Sequence, residues 1–501
     1  MSPQTRQEPE YLAAIDLGSN SFHMIIGHVS NGNLHVIDRL REMVRLASGL
    51  TADNHLTARA KTAALQCLQR FGQRLRDFPP CAVHAVGTNT LRKANRAENF
   101  ILEAETALGY PIKVISGVEE ARLVFLGVAH SLGNHEQKRL VVDIGGGSTE
   151  LIVGHGFSPD WLESLYMGCV NYSQRFFSDG LISERAMARA EIYAHIELEP
   201  IKALVKKTGW EYAIGTSGSI RAMESVIVGF DATARHLTLE RLYEIRRLLL
   251  DVKSIEHISL KGLKAERAPV FPGGLAILIA VFEALGIEQM EVSSGALREG
   301  LLYDQLDRTH NQDIRKTTVG NFIQRFQVDT PQTTRVKKTV HNILQQVQHA
   351  WALADTEIQL LITFAVDLHE VGLSIAHSQY HRHGAYLAEH ADMAGFSRQE
   401  QAFIAALIRS HRRKIHNHLL KELPKPYNQA ALGSCVVLRL AILLHRNRSD
   451  TPLPNIRFNA DKKSLSMVFP DQWLAQNPLT HTDLSMEQTY LKNIKFDLHI
   501  A

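Results

Sequence analysis

An aspartate ending an apolar run, a turn of small residues and a second apolar run occur twice in this chain. "AAIDLGSNSFHMIIG" spans residues 13–27 and "VVDIGGGSTELIVG" spans residues 141–154. Glycine weakens a strand because it has no side chain to pack, so each turn must serve something that needs bare backbone. In a Gly/Ser turn, successive N–H groups can point into one concavity that suits phosphate oxygens. The preceding Asp repels phosphate, but it can hold a hydrated Mg²⁺, which takes one or two carboxylates and keeps waters. Glu150, just past the second turn, offers another carboxylate. One such turn is also what a glycine hairpin or bulge looks like. Two with the same plan, and a third small-residue turn "GTSGS" at 215–219, point to a duplicated phosphate clamp.

Phosphoryl transfer to water also needs a group that orients or deprotonates the water. "ISGVEEARLVFLGVA" offers Glu119 and Glu120. Ser116 and Glu119 make a capping-box pattern at a helix start. That accounts for Glu119 and leaves Glu120, about 100° further round the helix, as the candidate base. "VGTNTLRKANR" sets Thr88, Asn89 and Arg92 just beyond a strand end, where ligands of α/β sheets gather. Arg92 there suits a bidentate phosphate contact.

The 501 residues are too many for one core and imply several domains. A net charge of +3 argues against a general nucleic-acid coat while leaving room for a local basic channel. Cys67, Cys81, Cys169 and Cys435 lie far apart with no CxxC pair, which fits a reducing compartment. The first ten residues carry no apolar signal core, and the apolar stretch from Leu275 is short and contains Glu283. A cytoplasmic protein is expected.

Residues 11–30 and 33–46 read as paired strands, 55–78 and 97–110 as helices, and 81–92 as strand then turn. The theme repeats from residue 138 to residue 306. Strand signals then vanish until 464–473 and 493–501. The expected organisation is an α/β half at 11–125, a second at 126–305, a helical domain at 306–448 and a small α+β domain at 449–501.

The motifs named above, with "MGCV", "GTSGSI" and "SSGALREGLLY", resemble in order the exopolyphosphatase/guanosine pentaphosphate phosphohydrolase family over about residues 11–305. The resemblance implies an actin-like ATPase fold, in which two ribonuclease-H-like halves face each other across a cleft. It puts the catalytic acid on Glu120 and the magnesium carboxylates on Asp143 and Glu150. It puts the phosphate loops on Asp16, Gly18, Ser19, Asn20 and Ser21, on Gly145, Gly146, Gly147 and Ser148, and on Gly215, Thr216, Ser217, Gly218 and Ser219. A homodimer, and peripheral contact with the inner membrane face, are further expectations.

The C-terminal half is similar to the helical HD-type phosphohydrolase module, with His369-Glu370 at its His-Asp pair and His383 and His411 at later histidines. Glu370 stands where Asp belongs, and Ile442 or Leu443 where a last Asp ligand would sit, so an inactive domain is expected. His377, His381, Arg382, His383, His411, Arg412, Arg413 and Lys414 are read as a basic face lining a path for a long polyanion. That path favours inorganic polyphosphate as substrate, with guanosine pentaphosphate as the alternative.

Overall fold

The computed structural model describes residues 10–30, 33–51, 53–95, 97–132, 137–309 and 313–501. The chain divides into two compact units, meeting between Gln312 and Asp313.

The first unit holds two five-stranded sheets. One contains β1 (Tyr11–Leu17), β2 (Phe22–Ser30), β3 (Asn33–Glu42), β4 (Val83–Gly87) and β5 (Ile112–Val114), in the order β3-β2-β1-β4-β5. The other contains β6 (Arg139–Ile144), β7 (Thr149–His155), β8 (Ser158–Leu165), β9 (Tyr212–Thr216) and β10 (Met290–Val292), in the order β8-β7-β6-β9-β10. The orders are the same when read in chain sense. In both, an antiparallel hairpin comes first and its opening strand then pairs in parallel with the fourth strand. This is the duplicated ribonuclease-H-like architecture of actin-like ATPase domains.

Strand period explains the packing, because successive side chains leave opposite faces. On β1, Ala13, Ile15 and Leu17 enter the core of the first half, while Leu12 and Ala14 enter a core between the two sheets. The helices of this unit are α1 (Ala58–Arg74), α2 (Asn89–Lys93), α3 (Ala97–Leu108), α4 (Gly117–Ser131), α5 (Cys169–Phe176), α6 (Glu184–Thr208), α7 (Ser217–Phe230), α8 (Leu239–Val252), α9 (Phe271–Leu285) and α10 (Leu297–Thr309). The central core belongs to α4 and α10, which pack between the sheets. Arg122 of α4 is buried between Glu119 and Asp304 of α10, with Nε donating to Glu119 Oε2 at 2.8 Å. The apolar run from Leu275 is α9, almost wholly buried in the second half.

Two local expectations change. Residues 88–93 are not an open turn after β4 but the short helix α2. The small-residue turn "GTSGS" is likewise the junction of β9 with α7, its last three residues opening the helix. Both stretches are too short for hydrophobic period to reveal helix.

The second unit runs from Asp313 to Ala501. Its helices are α11 (Ile314–Arg325), α12 (Thr330–Val347), α13 (Thr356–Leu368), α14 (Tyr380–His390), α15 (Arg398–Ser410), α16 (Asn417–Lys421), α17 (Tyr427–Leu444), α18 (Trp473–Gln476) and α19 (Pro478–Lys492). The strands β11 (Arg457–Asp461), β12 (Ser464–Val468) and β13 (Asp497–Ile500) form a small sheet that shares one hydrophobic core with these helices. Buried Arg439 of α17 pairs with Glu487 of α19, its Nη2 donating to Oε2 at 2.7 Å.

The crossing of α4 and α10 is the tightest helix contact that bears on the cleft. A Cβ on Gly300 would stand 1.8 Å from the Leu123 carbonyl oxygen. Gly300→Ala is therefore expected to destabilise the first unit by about 2–3 kcal/mol in urea unfolding, as overpacking does. Gly320→Ala on α11, where a Cβ meets nothing within 4 Å, is expected to stabilise its own unit by about 0.5–1 kcal/mol. Equal effects of the two would refute the packing argument.

Candidate active site

The two hairpins place their aspartates at equivalent points. Asp16 of β1 faces His23 across the hairpin, and Asp143 of β6 faces Glu150. Both open onto one cavity of about 140 Å³ within the first unit. Its lining takes in Gly18, Ser19, Asn20, Ser21, Thr88, Asn89, Glu120, Gly145, Gly146, Gly147, Ser148, Ser217, Gly218 and Ser219.

The glycines serve close approach rather than unusual backbone. None of Gly18, Gly145, Gly146 and Gly147 takes a positive φ. A Cβ on Gly146 would lie 2.9 Å from Ser19 Cβ, and one on Gly147 would lie 2.7 Å from Asn89 Oδ1. The loop of the second half is thus pressed against that of the first. Asn89 Nδ2 holds the meeting by donating to the Gly147 carbonyl at 3.3 Å, and within the first half Thr90 Oγ1 donates to Ser19 Oγ at 2.8 Å.

The third loop behaves differently. Gly215 and Thr216 are buried within β9 and do not line the cavity; the Thr216 hydroxyl donates to the Gly295 carbonyl. Ser217, Gly218 and Ser219 form the first turn of α7 and face the cavity, where a helix N-terminus favours anions. Ser217 holds φ at 73°, a left-handed conformation rare outside glycine, and its hydroxyl bonds the Ile144 carbonyl.

Glu119 and Glu120 separate, but the expected capping box is only half formed. Ser116 Oγ accepts from the Glu119 amide, and the Glu119 side chain turns away to Arg122. Glu120 lines the cavity. Arg92 does not; its Nη1 donates to Glu120 Oε2 at 2.8 Å and to the Ile115 carbonyl at 2.9 Å. The cations that do line the cavity are Arg41, Arg221, Arg267 and Arg298, with His23 beside them. Arg298 donates to His23 Nδ1 at 2.7 Å, and the other ring nitrogen meets Ser21 Oγ at 2.7 Å. Sequence reading missed all five. Arg298 and His23 sit inside quoted motifs, and Arg221 directly follows one, about one helical turn after Ser217, so a helix-phase argument would have found it. Arg41 and Arg267 carry no local signal.

Four carboxylates share the space: Asp16, Glu120, Asp143 and Glu150. Burial, with mutual repulsion, pushes Asp16 up to about 7 and Asp143 up to about 6, against partial relief from Arg298 on both. Glu150 is likewise driven well above its ordinary range by burial and by Glu120 and Asp143. Asp16 Oδ1 and Asp143 Oδ1 are buried without a hydrogen-bond partner among the described residues. An orphaned, repelling oxygen set fits a divalent cation better than a phosphate. Among the described residues, no three His, Cys, Asp or Glu side chains form a ready-made metal cage.

A second cavity, of about 330 Å³, shares His23, Arg41, Gly218, Arg221, Arg267 and Arg298 with the first. It adds Arg39 and Lys264, and its apolar lining is Ile25, Leu40 and Ala222.

The second unit corrects the reading of its histidines. His411 and His381 are buried, so they form no part of a basic surface. Burial holds His411 well below its ordinary range and His381 at about 4, leaving both neutral at pH 7. His381, not His383, packs against His411, with ring centres 6.2 Å apart, while His369 lies 5.5 Å from His411. Glu370 is tied to Arg448. Exposed His377, Arg382, Arg413 and Lys414 remain on the surface with half-buried His383 and Arg412, which stacks over Tyr380 at 4.8 Å.

The raised carboxylates have a consequence for stability. A folded pKa above the unfolded one means that the folded state binds more protons. That contribution is present at low pH and is lost as pH rises from the ordinary 3.8 of Asp16 to about 7. Asp16→Asn is expected to melt higher than wild type without metal at about pH 8, with the gain shrinking toward about pH 4. Melting curves of both proteins across pH test this; an unstabilised variant at the alkaline end would refute it.

A family model described as the Ppx/GppA phosphatase family matches residues 25–309, and one described as Ppx/GppA phosphatase domain III matches residues 314–488. Among solved structures, the chain is similar to an exopolyphosphatase from Cytophaga hutchinsonii at 24% identity and a TM-score of 0.55, over 60% of this chain and 98% of that one. It is also similar to the PPX-GPPA enzyme of Aquifex aeolicus at 26% identity and a TM-score of 0.51, over 59% of this chain and 99% of that one. The two model matches together take in most of both compact units, and the chain belongs to the Ppx/GppA phosphatase family.

Proposed function

We propose that the protein is an exopolyphosphatase that removes orthophosphate from the end of inorganic polyphosphate in a Mg²⁺-dependent reaction. The observation that carries this reading is the pair of joined cavities. Glycine and serine loops meet four carboxylates and four arginines in the first, and the second adds Arg39 and Lys264. A polymer with repeating negative charge fits a path of repeating cations. Among the described residues, no Phe, Tyr or Trp lines either cavity, so these residues offer no broad stacking surface for a base.

The terminal phosphates lie against the amides and hydroxyls of Ser19–Ser21, Gly145–Ser148 and Ser217–Ser219, with Arg221 and Arg298 opposing their charge. Asp143 and Glu150, with Asp16, would hold Mg²⁺, which would supply positive charge against the phosphate oxygens. Glu120 takes a proton from water as the water oxygen bonds the terminal phosphorus. The phosphoanhydride P–O bond breaks, its electron pair stays on the shortened chain, and orthophosphate leaves. Exposed Arg382, Arg413 and Lys414 and half-buried Arg412 of the second unit offer cations that suit a polyanion.

The second reading is a guanosine pentaphosphate 5′-phosphohydrolase on the same scaffold. The apolar Ile25, Leu40 and Ala222 beside His23 in the larger cavity favour it, since they could take a nucleoside between two anionic groups.

Glu120→Gln is expected to lower phosphate release by at least about 100-fold while polyphosphate binding stays near wild type; undiminished release would remove Glu120 from the role. Phosphate release from polyphosphate of defined length and from guanosine pentaphosphate, compared under one condition, separates the two readings. Faster release from the nucleotide would favour the second. A triple reversal, Arg382→Glu with Arg413→Glu and Lys414→Glu, is expected to weaken binding of long chains and spare short ones. Equal weakening of both would exclude a distal polymer path.

A further inference from the structure

Arg92 stands where a phosphate contact was expected, and its side chain is committed elsewhere. One guanidinium nitrogen, Nη1, donates to both Glu120 Oε2 and the Ile115 carbonyl. The Arg92 and Glu120 side chains are only 16% and 12% exposed, so solvent screens the pair weakly. Among the described residues, Glu120 Oε1 has no hydrogen-bond partner, and Glu120 itself lines the cavity that Arg92 does not reach.

The element carrying Arg92 is equally specific in its contacts. The helix α2 is five residues long. Its first residue, Asn89, touches Gly147 in the phosphate loop of the second half. Thr90 bonds Ser19 in the loop of the first half. Lys93 sits 5.1 Å from the centre of the Tyr166 ring, on the chain just beyond β8 in the second half. One short helix therefore touches both phosphate loops and the candidate base.

We propose that Arg92 is a positioning residue for the base: it holds Glu120 by Oε2, leaves Oε1 to receive the proton of the attacking water, and ties that orientation to α2 and the phosphate loops. This rests on the reading of Glu120 as the base. Arg92 has a second task beside orientation. Glu120 shares the cavity with Asp16, Asp143 and Glu150, and an adjacent guanidinium keeps a fourth carboxylate there from being turned away by the other three. A phosphate-binding arginine would raise KM when removed. A positioning arginine lowers kcat, because the anion is held by other groups.

The test is steady-state kinetics on polyphosphate of one defined length, with Arg92→Ala, Arg92→Lys, Glu120→Gln and the Arg92→Ala/Glu120→Gln double variant. Circular dichroism and melting curves select the variants that fold, and Arg92→Lys serves if Arg92→Ala does not. The expected result is a fall in kcat of about 10–100-fold for Arg92→Ala with KM within about threefold of wild type. Arg92→Lys is expected to recover part of that kcat, and the double variant to be no slower than Glu120→Gln alone, because residues acting as a unit are not additive. A raised KM at unchanged kcat, or additive losses in the double variant, would overturn the proposal. Wild-type kcat in Glu120→Gln would instead overturn the reading of the base itself, whatever Arg92 does.

Discussion

Four carboxylates cannot share a buried cavity unless something positive stands with them, and this constraint organises the first unit. Asp16, Glu120, Asp143 and Glu150 come from four different elements and repel one another. Arg298 offsets part of that repulsion from α10, and Arg92 offsets part from α2. What is left is a local burden that a divalent cation would relieve. Sites that hold such strain depend on a surrounding scaffold that cannot relax. The scaffold here is the crossing of α4 and α10, with Arg122 locked between Glu119 and Asp304.

The duplication is symmetric in topology and asymmetric in chemistry. Both halves offer an aspartate at the same point of the same hairpin, but the residue facing it differs. It is His23 in the first half and Glu150 in the second. Burial and neighbouring arginines hold His23 well below its ordinary range, so it is a neutral partner for Arg298. Glu150 is an additional acid. Each half nevertheless supplies two of the four carboxylates, while three of the four cavity arginines, Arg221, Arg267 and Arg298, come from the second. Gly146 and Gly147 lie so close to the Ser19 and Asn89 side chains that neither position has room for a Cβ of its own.

The second unit shows how poorly charge composition reports electrostatics. Eight basic or ionisable residues in two short stretches suggested one continuous basic face. The fold turns His381 and His411 inward, where burial makes them neutral, and leaves the arginines and Lys414 outside. His369 and His411 each bond the carbonyl three residues back, at 2.6 Å, which settles them into helix ends rather than toward solvent.

The sequence by itself determined the parts that are local. Apolar alternation and the repeated Asp–Gly plan specified two hairpins and their phosphate loops. Ser116 marked the start of the helix that carries Glu119 and Glu120, and both sheets follow from strand period with intervening helices. These are properties of a few neighbouring residues, so adjacent positions suffice to reveal them. Only the tertiary structure decided that Arg92 belongs to Glu120 and that Gly215 and Thr216 stay inside a strand. It also decided that Arg41 and Arg267, remote in sequence, reach the same cavity. The reason is physical: a side chain's charge and its partner are set by which distant elements pack around it. A carboxylate or imidazole changes character on burial in a way that no local pattern records.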